Sequence, residues 1–200
     1  MMPKISYQTH DILTRVFLPP ISKKKDFEKQ SNKFVKQFRK IEKDVLASIE
    51  KFSGFKWSKK KIPVYLIPNG RFISMAKSNL EKGTPGVVQK IGEVLERITH
   101  LLIHELTHIN QFQSDFYSKK NSFIFNKRGI KDRVKVEICT DVVAIHVVRD
   151  LFGNNSKYEK DYWYFMNKLM TSTPAKKMKI PTYLKRWDLN KNTLKEYIFK

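Results

Sequence analysis

The sequence predicts an α+β fold, mainly helical, with a small antiparallel sheet beside one of its helices. Three observations predict it. Apolar residues recur at three- and four-residue steps through three long stretches, which is helical periodicity. One intervening stretch is rich in β-branched and aromatic residues instead. Glycines stand where periodic stretches end, at Gly54 and Gly153. The 200 residues show no internal repeat and suit a single domain over 1–200, with its core at about 24–153 and a helical C-terminal extension over 154–200.

Taken in order, residues 24–53 carry Phe27, Phe34, Phe38, Ile41, Val45 and Ile49 at helical spacing and read as one long amphipathic helix. "KIPVYLIPNGRFISMAK" (61–77) then reads as two strands joined at Pro68-Asn69-Gly70, a hairpin signal, with room for a third strand in 79–90. The next helix starts at Thr84-Pro85, or nearer Gly92, and carries Ile91, Leu95, Ile98, Leu102, Leu106 and Ile109 on one face. Another covers 134–153. Beyond Gly153, helices are expected around Glu159–Met170 and Asn190–Phe199, with the Pro- and Lys-rich residues 172–187 as a loop or arm.

The chemistry concentrates in "ITHLLIHELTHINQF" (98–112), which holds three of the chain's five histidines. Positions four apart on a helix lie about 6 Å apart on one face, so two imidazoles can converge on one ion; positions eight apart, at about 12 Å, cannot. One pair must therefore be chosen. Only His104 and His108 enclose a glutamate in the order H-E-x-x-H, giving two metal ligands and, in Glu105, a general base. His100, one turn earlier, is left to line the site or bond locally.

A hydrolytic zinc takes three protein ligands and keeps one open position. The third is sought in "VKVEICTDVVAIHVVRDLFG" (134–153). Glu137 and Asp141 share one face of that helix, whereas Cys139 and His146 fall near the opposite side. The wheel selects Glu137 as ligand over His146. Asp141 then becomes the acceptor that orients a ligand histidine through its free ring N–H.

HELTH followed by a helix bearing E-x-x-x-D resembles the gluzincin metallopeptidases, the clan of the thermolysin-like enzymes. In scale and spacing it is also similar to the minigluzincins and the ImmA/IrrE-type regulatory peptidases. The resemblance implies a zincin-like fold with zinc held by His104, His108 and Glu137, water activated by Glu105, and Asp141 behind the ligands. It implies peptide hydrolysis, and a sheet edge above the active-site helix that holds the substrate by strand addition. The chain departs from the pattern in one respect. No histidine follows His146 to steady an oxyanion, which leaves Tyr158, Tyr162, Tyr164 and Tyr183 as candidates.

Composition bounds the setting. Asp11 and Arg15 interrupt the N-terminal apolar run, no stretch reaches the roughly 20 apolar residues of a membrane span, and the lone Cys139 excludes an intramolecular disulfide. A cytoplasmic location is the expectation. The net charge of +21, from 40 Lys and Arg against 19 Asp and Glu, is the other bound. It points to an anionic partner, whether nucleic acid, a membrane surface or an acidic protein. Basic residues cluster at Lys23–Lys25, Lys59–Lys61, Lys119–Arg133 and Lys176–Arg186. The competing function is a basic zincin-scaffold binding protein with little general peptidase activity; an intact Glu105 argues against it, because a purely structural zinc needs no base.

Overall fold

A computed structural model describes residues 2–9, 22–68, 74–81, 84–114, 116, 132–169 and 177–199. The chain runs β1 (Lys4–Thr9), α1 (Ser22–Phe38), α2 (Glu42–Ser53), β2 (Lys61–Ile67), β3 (Met75–Glu81), β4 (Thr84–Lys90), α3 (Leu95–Phe112) and α4 (Asp132–Phe152). It ends with α5 (Lys157–Tyr164), which continues as a wider turn over Phe165–Leu169, then α6 (Ile180–Arg186) and α7 (Leu194–Phe199). The fold is mainly helical α+β, with one small four-stranded sheet.

The sheet is mixed rather than antiparallel. Its order is β1-β2-β4-β3, with β1 and β4 both parallel to β2 and only β3 antiparallel to β4. The expected hairpin across Pro68-Asn69-Gly70 is therefore corrected: β2 and β3 are not neighbours, because β4 returns between them. A two-residue turn fixes pairing only where strands abut it, and here β2 stops at Ile67 while β3 begins at Met75. Residues 69 and 70 themselves lie outside the described set. The strand foreseen in 79–90 is β4, with the end of β3. Thr84-Pro85 thus opens a strand, not a helix. Pro85 is tolerated there because β4 meets β2 only from Val87 onward, and on the β3 side Pro85 falls in the irregularity between the Glu81–Thr84 and Lys77–Gly86 pairs.

Two further readings change. The helix expected over 24–53 is broken at Arg39–Ile41, where Ile41 N–H bonds Phe38 O at 3.0 Å in a tight turn. Residues 172–187, read as an arm, include α6, with Pro181 in its first turn where a missing N–H costs nothing. At the N-terminus, β1 is a strand that the sequence reading did not assign.

Helix α3 lies at the centre, packed against β3, β4, α2, α4 and α5. Leu102, Ile103, Leu106 and Ile109 of α3 meet Val45, Ile49 and Phe52 of α2 and Val142, Val143 and Val147 of α4 in one buried cluster. The same cluster takes in Tyr162, Ile180, Leu194 and Ile198, so the residues after Gly153 complete the core. Each fully buried aliphatic side chain contributes roughly 1.5–3 kcal/mol of hydrophobic stabilisation. That burial fixes α3 and α4 as the rigid platform of the site. Among the described residues, no helix is long and apolar enough to cross a membrane.

Candidate metal centre

Three ligand atoms converge where α3 meets α4. His104 Nε2 and His108 Nε2 lie 3.1 Å apart, and Glu137 Oε2 lies 3.3 Å from the first and 3.4 Å from the second. A tetrahedral ion with bonds of about 2.0–2.1 Å needs ligand separations of about 3.3–3.4 Å. The triangle is of that size. Among the described residues, it is the one group of His, Cys, Asp and Glu side chains that meets the distance condition for holding a metal.

The protons on the far sides of the rings reinforce the fit. His104 Nδ1 lies 2.8 Å from Asp141 Oδ1, a carboxylate that can only accept, so the ring donates there. His108 Nδ1 lies 3.2 Å from Thr140 Oγ1, whose single proton is directed to Val136 O or Gln111 Oε1, each at 2.9 Å. Both rings thus carry their proton on Nδ1 and turn Nε2 lone pairs toward each other and toward a carboxylate oxygen. Three acceptors facing one another without a donor call for a cation. In the absence of one, a proton takes its place. Burial disfavours the charged form of His104, but the charge and hydrogen bond of Asp141 and the bond to Glu137 outweigh it and raise its pKa well above the ordinary value. Glu137 answers in kind: burial pushes its carboxyl up, and the two histidines outweigh that and hold it well below the usual range. A proton and a metal ion therefore compete for the same lone pairs.

Glu105 points elsewhere. Its Oε2 accepts the backbone N–H of Ala76 at 2.5 Å. Ala76 is paired with Val87 of β4 and nevertheless sends its N–H away from that partner, so Glu105 stands at the outer edge of β3, which is free among the described strands. Burial raises the Glu105 carboxyl above its ordinary pKa and the Glu137 charge adds to this, against the lowering pull of both histidines and the Ala76 N–H.

His100 and His146 stay out of the triangle. His100 Nε2 bonds Asp161 Oδ2 at 2.8 Å, and that carboxylate also takes Arg97 Nη2 at 2.8 Å. His146 donates from Nδ1 to Val142 O at 2.8 Å and packs on Phe52. Of the tyrosines, Tyr158 stacks on Phe152, Tyr183 packs on Trp187, and Tyr164 is exposed. Tyr162 is buried beside Asp141, whose charge adds to burial in pushing its phenol up.

Sequence reasoning did not anticipate Thr140, Asp161 or Ala76 in this arrangement. Thr140 had a findable signal, since it lies one turn from Glu137 on the same helix face. Ala76 had none, because its contribution is a main-chain N–H. Comparison with known proteins supplies no relative: no family model matches the chain, and no curated protein or solved structure does.

Proposed function

We propose that this chain is a zinc-dependent peptidase of gluzincin type. The observation that carries the reading is the convergence of His104 Nε2, His108 Nε2 and Glu137 Oε2 on one tetrahedral face, with Glu105 at the adjoining free edge of a sheet. His104, His108 and Glu137 would hold the ion. Zinc bound there supplies Lewis acidity, which polarises a carbonyl and makes water a nucleophile near neutral pH.

The chain's own groups do the rest. Asp141 and Thr140 hold the proton on each Nδ1 and so keep both Nε2 atoms free for the metal. The Glu105 carboxylate takes a proton from water and returns it to the leaving amine. The free edge of β3 offers main-chain N–H and C=O groups to an extended peptide, which would displace the Ala76 bond from Glu105 as it docks. A cytoplasmic setting fits the lone, buried Cys139.

The test is zinc stoichiometry on purified protein, joined to hydrolysis of a mixed peptide library by the protein and its Glu105→Gln variant. Bound zinc with cleavage that depends on Glu105 supports the reading. Zinc without cleavage of any peptide favours the binding-scaffold alternative.

A further inference from the structure

The charge of the chain is not absorbed by a peptidase site, and one cleft concentrates it. We propose that the cleft between β1 and the α1–α2 junction is a phosphate-binding site. Its volume is about 410 Å3, and Lys4, Ile5, Ser6, Tyr7, Arg39, Lys60 and Lys61 line it. Four of these are cations from three separate segments, and no carboxylate is among them.

Three features set the cleft apart from an ordinary solvated charge run. First, Lys4 and Lys61 are directly opposed in the β1–β2 register, where like charges repel. Second, several acids are paired elsewhere, Asp150 with Lys51, Glu50 with Lys56, Asp161 with Arg97 and Glu159 with Arg149, and the acid that borders the cleft, Glu42, is taken up by Ile5 N–H and the Tyr7 hydroxyl. Among the described residues, none of the four cleft cations has an ion-pair partner. Third, the wall is held in place. Glu42 accepts Ile5 N–H at 3.0 Å and the Tyr7 hydroxyl at 3.3 Å, and the Arg39 guanidinium sits 5.7 Å from the centre of the fixed Tyr7 ring. Arg39 is exposed, and its guanidinium lies against a ring that is itself tethered.

A planar guanidinium with three ammonium groups and a Ser6 hydroxyl suits the tetrahedral, multiply charged oxygens of a phosphate. The volume exceeds what a bare phosphate fills and lies in the range of small-ligand sites, about 300–1,000 Å3, so a phosphate carried on a nucleotide or strand fits it. This site shares no residue with the metal centre and does not depend on the peptidase reading.

The test is fluorescence anisotropy of a labelled single-stranded oligonucleotide at low and physiological salt, on the full chain. Arg39→Glu/Lys60→Glu is compared with Lys29→Glu/Lys33→Glu, an equal change in net charge on the exposed face of α1. The cleft variant should lose tenfold or more in affinity and flatten the salt dependence by about one to two in slope, as loss of two phosphate contacts requires. The α1 variant should lose under threefold. Lys60→Gln alone, which alters one exposed side chain, should give a smaller loss in the same direction and guards against misfolding of the double variant. A second arm uses inorganic phosphate: broadening of its phosphorus resonance by wild type and not by the cleft variant, with no oligonucleotide binding, would assign the site to a small phosphorylated ligand. Equal losses in both double variants, or no binding of either probe, would overturn the proposal.

Discussion

His104 and Asp141 are joined Nδ1 to Oδ1 at 2.8 Å across the contact of α3 with α4, and that one bond sets which ring nitrogen faces the centre. Its loss should therefore show in metal affinity before it shows in fold. Asp141→Asn keeps the shape but offers an amide that can donate to Nδ1, which favours the wrong tautomer. Zinc affinity should fall by about 10- to 100-fold, measured by competition with a chromophoric chelator, while the far-UV spectrum is unchanged. Undiminished affinity would remove Asp141 from the metal site.

The ligand set makes a sharper claim. Glu137→Ala should abolish or greatly weaken the binding of about one zinc per chain, because it opens the triangle of donor atoms. His146→Ala and His100→Ala should retain the metal, since those rings are engaged with Val142 O and Asp161 instead. Elemental analysis after dialysis distinguishes the cases. Loss in His146→Ala equal to that in Glu137→Ala would mean that α4 presents another face.

Chemistry separates from binding at Glu105. Glu105→Gln can still accept the Ala76 N–H through its amide oxygen, so fold and zinc content should persist. Peptide hydrolysis should drop by about 10²- to 10⁴-fold, the usual worth of a general base. The fall should lie in kcat more than in KM. Hydrolysis surviving in this variant would take the base role away from Glu105.

How much of this was legible in the sequence follows from how local each feature is. His104, Glu105 and His108 lie on a single helix, so spacing alone puts them together. Glu137 and Asp141 needed only the assumption of a second helix, and the wheel then separated them from His146. Sheet order was not legible, because pairing of Val64 with Val87 is a long-range event that no local periodicity records. The break between α1 and α2 was hidden for another reason: Phe38 and Val45 lie two helical turns apart, so the apolar phase runs through it unchanged. Ile91 misled by continuing the stripe of α3, yet its N–H bonds Ile67 O at 2.8 Å as an extension of β4. Gly92 then turns the chain at φ +110°, a conformation that β-carbon sterics deny to other residues. The basic cluster Lys119–Arg133 falls mostly outside the described residues.

The clamp between α3 and α5 yields a pH prediction. Burial alone would raise the Asp161 carboxyl, but hydrogen bonds from His100 and Arg97, and the charge of Arg97, outweigh it, so its pKa is held below the ordinary value. A carboxyl depressed in the folded state stabilises the fold fully above its unfolded pKa, about 3.9, and loses that contribution as pH falls through the folded value. His100 does not reverse the sign near neutrality, because burial lowers its own pKa and leaves the ring neutral, donating from Nε2 to Asp161. Asp161→Asn should accordingly lower the thermal midpoint at pH 7, where Arg97 is left with only Glu93 as a charge partner. The gap between wild type and variant should be present at pH 7 and should close as pH falls below about 4, where the Asp161 charge is lost. Thermal melts of both proteins at half-unit steps of pH read this directly. A gap that persists unchanged well below about pH 4 would mean that the α3–α5 clamp does not rest on the Asp161 charge.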